Sequence, residues 1–186
     1  MTVIRPSTRD AIIEAAFRLL ADKPAASLGD VAEYAGVGRA TLHRHFPGRS
    51  ELMSALARIA MQDLDIAVKE ATEEALSYDE GFRLSMQAIV PLANRQWFLA
   101  QDGLLEADKE VAAAYQASLE ELHNTIELAK AEGFLDPDIP TPWIVQTYNN
   151  LIYAAWTVVR SGDATPKQAA DLAWRTFCSG LKGNGS

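Results

Sequence analysis

Six hydrogen-bond-donating side chains crowd into eleven residues of this chain: Arg39, Thr41, His43, Arg44, His45 and Arg49. Between positions 39 and 45 no acid interrupts them. A guanidinium fork fits both a guanine edge and a phosphate, so Arg39 and Arg44 are candidates for either contact. Thr41 can meet a thymine methyl or a phosphate, and His43 and His45 can donate to phosphate. Ala40 is small enough to let a helix approach a groove floor closely. This is the chemistry of holding a duplex, not of breaking a bond.

Catalytic constellations are not assembled. Glu120-x-x-His123 is half of a di-iron carboxylate site, which needs a second such motif and two more acids on facing helices. The remaining histidines, His43 and His45, diverge by about 200° on a helix, too far to chelate one ion. Cys178 is the single cysteine, so no intramolecular disulfide forms and it reads as a small buried core residue. No phosphate-cradling glycine loop and no G-x-S-x-G occurs. The sequence therefore predicts no enzyme, no cofactor and no metal.

The elements that must position the donors are built as follows. Ser27-x-x-Asp30 is a capping box, in which each side chain satisfies a free backbone N–H at a helix start. Val31, Ala32 and Ala35 share one face of the short helix that follows. Gly36 provides the left-handed residue for a chain reversal. A second short helix runs from near Gly38 through His45, with Leu42 and Phe46 facing the core and the donors facing out. Pro47 and Gly48 stop it. Two short helices joined by a glycine-containing turn make a helix-turn-helix at 27–46, whose second helix carries the contacts. An ordinary αα-hairpin is the alternative; the unbroken donor face favours DNA. Arg49 opens a long helix whose free N–H groups add phosphate-binding capacity. The DNA-facing set is then Ser27, Arg39, Ala40, Thr41, His43, Arg44, His45 and Arg49. Upstream, Ser7-x-x-Asp10 starts a helix with an Ile12, Ala15, Ala16, Leu19, Leu20 stripe, ending near Asp22 ahead of Pro24. It buttresses the pair into a three-helix head, with Arg5 and Arg9 at phosphate or in solvent.

The run A-x-x-A-G-V-G-R-A-T-L-H-R-H-F-P-G-R-S-E-L, from Ala32 to Leu52, resembles the DNA-binding signature of the TetR family of transcriptional repressors. His43 stands where that family most often has Tyr, Gly38 where Ser is usual, Arg49 for Lys, and Gly29 where Arg is frequent. The resemblance implies a homodimer on a pseudo-palindromic double-stranded operator and a ligand cavity in the body. It also implies that His43 takes the tyrosine's phosphate-contacting role. An effector would tilt the Arg49–Ala75 helix and lower operator affinity.

The rest of the chain reads as all-α, about nine helices: the N-terminal helix-turn-helix head plus a C-terminal ligand-binding and dimerisation bundle. The expected division is 5–64 for the head and 65–186 for the body. Helices are expected from Asp79 to Val90, Leu92 to Gln101, Leu105 to Ala131, Thr141 to Arg160 and Pro166 to Leu181, with a tail at 183–186. Net charge is −8, yet residues 1–50 hold seven Lys and Arg against five acids, and 51–186 hold ten against twenty. That asymmetry pairs a basic reader with an acidic body kept off phosphate. The last two helices are apolar over more than one face, which calls for burial on both sides. A four-helix dimer interface through Ile144, Leu151, Ile152, Ala155, Val159, Leu172, Ala173 and Phe177 would supply it, and suits two readers about one DNA turn apart (~34–36 Å). Met86, Trp97, Phe98, His123, Asn149, Tyr153 and Trp156, with Asn94, Gln101 and Asn150 nearby, are the candidate lining of an effector pocket. No apolar run approaches the ~18 residues of a membrane span, no basic-then-apolar leader opens the chain, and a cytoplasmic protein is expected. A ligand-binding or interaction bundle with a degenerate head is the competing reading, resting on Gly29, Gly38 and the acidic total.

Overall fold

Two serines start the first two helices. The Ser7 hydroxyl accepts the Asp10 N–H and the Asp10 carboxylate accepts the Ser7 N–H, each at 3.2 Å, opening α1 (Thr8–Asp22). Ser27 and Asp30 repeat the box at α2 (Leu28–Tyr34), where the Ser27 N–H reaches the carboxylate at 2.7 Å. The chain continues through α3 (Arg39–His45), α4 (Arg49–Thr72), α5 (Tyr78–Ile89), a 3-10 turn (Val90–Leu92) and α6 (Ala93–Leu99). Then come α7 (Lys109–Ala131), α8 (Thr141–Ser161) and α9 (Pro166–Leu181). The computed structural model describes residues 7–99 and 108–181, and among these every regular element is helical. The all-α class holds. Arg5, Gln101, the break at Gly103, the helix start near Leu105 and the 183–186 tail lie outside the described residues.

Two boundaries differ from expectation. The long helix α4 stops at Thr72 instead of Ala75, where the Thr72 hydroxyl bonds the Val68 carbonyl at 2.8 Å. The Ser77 hydroxyl accepts the Glu80 N–H at 3.2 Å, and the Glu80 carboxylate takes the Leu76 N–H at 3.1 Å, so a new helix begins at Tyr78. The helix before Pro91 ends there as expected: α5 stops at Ile89, and Pro91 sits in the 3-10 turn ahead of α6, at a position where a missing N–H is tolerated.

The chain divides into two compact units, Met1–Met61 with Asn94–Val111, and Gln62–Ala93 with Ala112–Ser186. In the first, Ile12, Ala16, Phe17 and Leu20 of α1, Val31 and Ala32 of α2, Leu42 of α3 and Leu52 and Leu56 of α4 are buried. Phe98 of α6 meets Phe17 edge-on at 5.6 Å, and the Arg95 guanidinium lies 4.7 Å over the Phe17 ring while pairing with Glu14. Arg58 bridges Asp108 and Glu110 at 2.9 Å each. The pairing raises the pKa of the exposed Arg58 guanidinium and lowers that of the half-buried Asp108, each through the other.

The second unit is centred on five aromatic rings. Phe177 of α9 lies 5.8 Å from Phe82, 5.8 Å from Tyr148 and 5.9 Å from Trp174, and Phe134 stacks on Trp174 at 6.2 Å. Burial drives the Tyr148 hydroxyl's pKa well above the ordinary phenol value, so it stays protonated. This packing corrects the assignment of the dimer face. Ile144, Ile152, Ala155, Ala173 and Phe177 are buried inside the single chain, because α8 and α9 pack face to face. Leu151 and Val159 are half-buried. Of the expected set, Leu172 is exposed, at 47%, alongside Tyr153 at 47% and Trp143 at 65%. Phe177→Ala should cost about 3–5 kcal/mol, since it leaves a void among rings that cannot all close in. Urea unfolding followed by circular dichroism checks this, and a loss under about 1 kcal/mol would show that the cluster is not a packed core.

Candidate nucleic-acid interface

The turn between α2 and α3 is closed by backbone alone. Gly36 takes φ 67°, its N–H reaches the Glu33 carbonyl at 3.0 Å, and the Val37 N–H reaches back to the Ala32 carbonyl at 2.9 Å. That pair of bonds is a Schellman ending, and its left-handed residue favours glycine. The chain leaves it extended through Gly38, the unadorned cap of α3. Leu42 and Phe46 are buried, at 0% and 3% exposure, and the opposite side of α3 is outward. Arg39, Ala40, His43 and Arg44 are exposed, and Thr41 and His45 are half-exposed. The His43 Nδ1 lies 3.3 Å from the Pro47 carbonyl, which turns the other ring nitrogen away from the chain end of α3. An open notch of about 190 Å³ separates the two helices, lined by Ser27, Leu28, Gly29, Arg39, Leu42 and His43.

Two residues assigned to DNA, Ser27 and Arg49, serve the fold, as does Arg9, for which the sequence leaves phosphate and solvent both open. Ser27 donates its hydroxyl proton to the Asp30 carboxylate at 2.7 Å, so it offers phosphate no donor. Arg49 donates to the Ala26 carbonyl and, at 2.8 Å, to the Pro24 carbonyl, fastening the α1–α2 connection to the start of α4. Arg9 places its guanidinium 5.5 Å over the Phe46 ring, behind α3. The spacing that foretold these residues registers their chemistry but not the carbonyl or ring each one faces.

The expected effector lining is distributed differently from its reading. Trp97 and Phe98 belong to the first unit, where Phe98 is core. In the second unit, Met86 is fully buried, Asn149 half-buried and His123 exposed on α7. Trp156 is buried beneath Tyr153, at 5.7 Å, and beneath Arg160, whose guanidinium lies 4.8 Å over the indole. Phe98 is accounted for by its packing on Phe17. Among the described residues no cluster of three or more His, Cys, Asp or Glu could hold a metal. Glu120 and His123 are both exposed, as a surface pair on one helix is. No helix among them is long and apolar enough to cross a membrane.

A short, polar-faced second helix set by a glycine turn on a buttressing first helix defines a helix-turn-helix regulator of the all-helical kind. The comparisons give the same class. Residues 12–56 match the family model "Bacterial regulatory proteins, tetR family". Over 178 residues the chain is 32% identical to the HTH-type transcriptional repressor LfrR of Mycolicibacterium smegmatis, covering 95% of this chain and 92% of that protein. The crystal structure of LfrR from Mycobacterium smegmatis in complex with proflavine superposes with a TM-score of 0.75 at 30% identity, over 93% of this chain and 95% of that one. KstR2, the ketosteroid transcriptional regulator of Mycobacterium tuberculosis, shares the fold at TM-score 0.78 and 17% identity, over 97% and 98% of the two chains. This chain belongs to the tetR family of bacterial regulatory proteins, and is a DNA-binding transcriptional regulator.

The cap at Ser27 carries a pH signature. Hydrogen bonds from the Ser27 hydroxyl and backbone hold the Asp30 carboxyl below its ordinary range, with Lys23 and Arg39 adding to the effect. A depressed folded-state value means the stabilisation is present above the ordinary carboxylate range and is lost as pH falls through the folded value. Ser27→Ala should cost about 1 kcal/mol near neutrality, as other N-cap serines do. Melting temperatures of wild type and variant should differ at neutral pH, and the gap should narrow as pH falls from neutral into the acid range through the depressed Asp30 value, leaving the part due to the Ser27 hydroxyl accepting the Asp30 N–H. A constant gap across that range would rule the carboxylate out as the source.

Proposed function

We propose that this chain is a homodimeric one-component repressor, which leaves a pseudo-palindromic operator when a small molecule binds its C-terminal part. The observation that carries the reading is α3 itself: apolar on the hidden side at Leu42 and Phe46, and exposed at Arg39, Ala40, His43 and Arg44. Kinship with LfrR supports repression as the direction of control. The working site is the cytoplasm, where the DNA is, and the protein carries out no catalysis.

Two-fold pairing fits two reading helices to two half-sites one turn apart. The partner surface is an exposed stripe of α8, with Trp143, Gln146, Asn150, Tyr153 and Thr157 at helical spacing, together with Leu172 of α9. Large exposed apolar groups in line are what an isologous interface buries. Tyr153→Glu with Leu172→Glu should convert the protein to monomer by sedimentation at micromolar concentration, with its helical content retained. A dimer that persists would move the interface elsewhere.

Effector control needs a molecule that binds the DNA-incompetent state more tightly than the competent one. Helix α4 has residues in both units and is the natural route for that coupling. Proflavine is the first probe, because the LfrR structure contains it. A gel shift on the DNA flanking the protein's own gene should show a complex that weakens steeply with salt and dissolves as proflavine is added, while the dye raises the melting temperature. Arg44→Ala should cost about 1–3 kcal/mol of operator affinity and relax preference at one base pair. A wild-type protein that shifts no duplex yet is stabilised by the dye would favour the ligand-binding bundle with a degenerate head.

A further inference from the structure

Gly29 lies inside α2, where glycine weakens a helix relative to alanine. Its backbone does not require glycine: the positive-φ glycines among the described residues are Gly36, Gly133 and Gly162. What the missing side chain provides is room. A Cβ at position 29 would stand 3.3 Å from Arg39 Nη2 and 3.4 Å from Arg39 Nε. A Cβ at Gly38, one residue before Arg39, would meet nothing within 4 Å. The Arg39 guanidinium thus leaves the axis of α3 and lies over the first turn of α2, in the notch whose walls include Ser27, Leu28, Leu42 and His43. The Asp30 carboxylate at that turn feels its charge.

In a helix-turn-helix the first residues of the second helix reach base edges, while the first helix crosses the DNA backbone. Arg39 is the first residue of α3, yet its charged end sits on α2. We propose that Gly29 determines what Arg39 reads: by leaving the first turn of α2 bare, it holds the Arg39 guanidinium at the DNA backbone and away from the bases. Arg39 then fixes the register of the protein on the duplex and carries no sequence information, and discrimination falls to the rest of α3. This inference rests on the DNA-binding reading above and assigns position 29 a positive role in it.

The test uses the full-length protein and the tightest duplex it selects from a random library, with a scrambled duplex of equal length as control. A Cβ alone asks the Arg39 side chain to give by a few tenths of an ångström, so Gly29→Ala is the control and Gly29→Leu, which fills the first turn of α2, is the test. Melting temperatures should hold or rise in both, while affinity for the selected duplex falls about five-fold or more in Gly29→Leu as the guanidinium is displaced. That loss should vanish when the same change is made in an Arg39→Ala background. Arg39→Ala alone should weaken selected and scrambled duplexes by the same factor and lower the slope of log affinity against log salt by about 0.9. Unchanged affinity in Gly29→Leu overturns the proposal, as does a loss that persists without Arg39. So does an Arg39→Ala protein that relaxes its preference at one base pair with its salt slope intact. A wild-type protein that selects no duplex overturns the underlying DNA-binding reading as well, and the unmutated control separates that outcome from the others.

Discussion

A helix of seven residues does not stand alone in water; isolated helices below roughly 12–15 residues are marginal even with the best sequences. That constraint governs the head. Helix α3 exists because Leu42 and Phe46 are buried behind it, against a core that includes Ile12, Phe17, Val31 and Leu52. Arg9 closes over Phe46 from α1, and the Gly36 turn sets the angle at which α3 departs from α2. Two anchored side chains four apart consume one face of the helix, and the remaining faces are free for polar groups. Function and stability in the head thus occupy opposite sides of the same two turns.

How much of this was legible in the sequence depended on whether the determining interaction was local. Ser7 with Asp10, Ser27 with Asp30 and the glycine at 36 act within three or four residues, and each helix boundary they set was readable. Ser77 acts the same way, but the helical run of α4 masked it, and the end at Thr72 was placed three residues late. The apolar pattern of α8 and α9 showed which residues seek burial without showing what buries them. Ile144, Ile152 and Phe177 satisfy that demand within the chain, where Phe82, Phe134 and Trp174 complete a ring cluster assembled from four distant segments. No spacing rule brings Phe82 to Phe177. The outward stripe around Trp143 and Tyr153 is a remainder, visible once the inner faces are filled.

Charge followed the same division of labour. A chain of net charge −8 would be repelled by DNA if its charge were spread evenly. The acids instead lie mostly beyond residue 50, and several head cations are spent on internal partners. The field that meets DNA is therefore set by a small number of side chains on α3, which makes the position of each one consequential.

Subtraction identifies those side chains. Arg49 is held by the carbonyls of Pro24 and Ala26, Arg9 by the Phe46 ring, Arg58 by Asp108 and Glu110, and Arg95 by Glu14 and Phe17. Each has the same guanidinium fork that marks a nucleic-acid contact, and each uses it to join segments of the first unit. A fork suits a pair of backbone carbonyls better than an ammonium does, which gives Arg49 a structural reason to stand where the family usually has lysine. On α3 there remain Arg39 and Arg44, both exposed on a helix that contains no acid. Residue type alone marked Arg9, Arg39, Arg44 and Arg49 as candidate contacts; only the partners that the fold supplies distinguish Arg9 and Arg49, which hold the head together, from Arg39 and Arg44 on the outward side of α3.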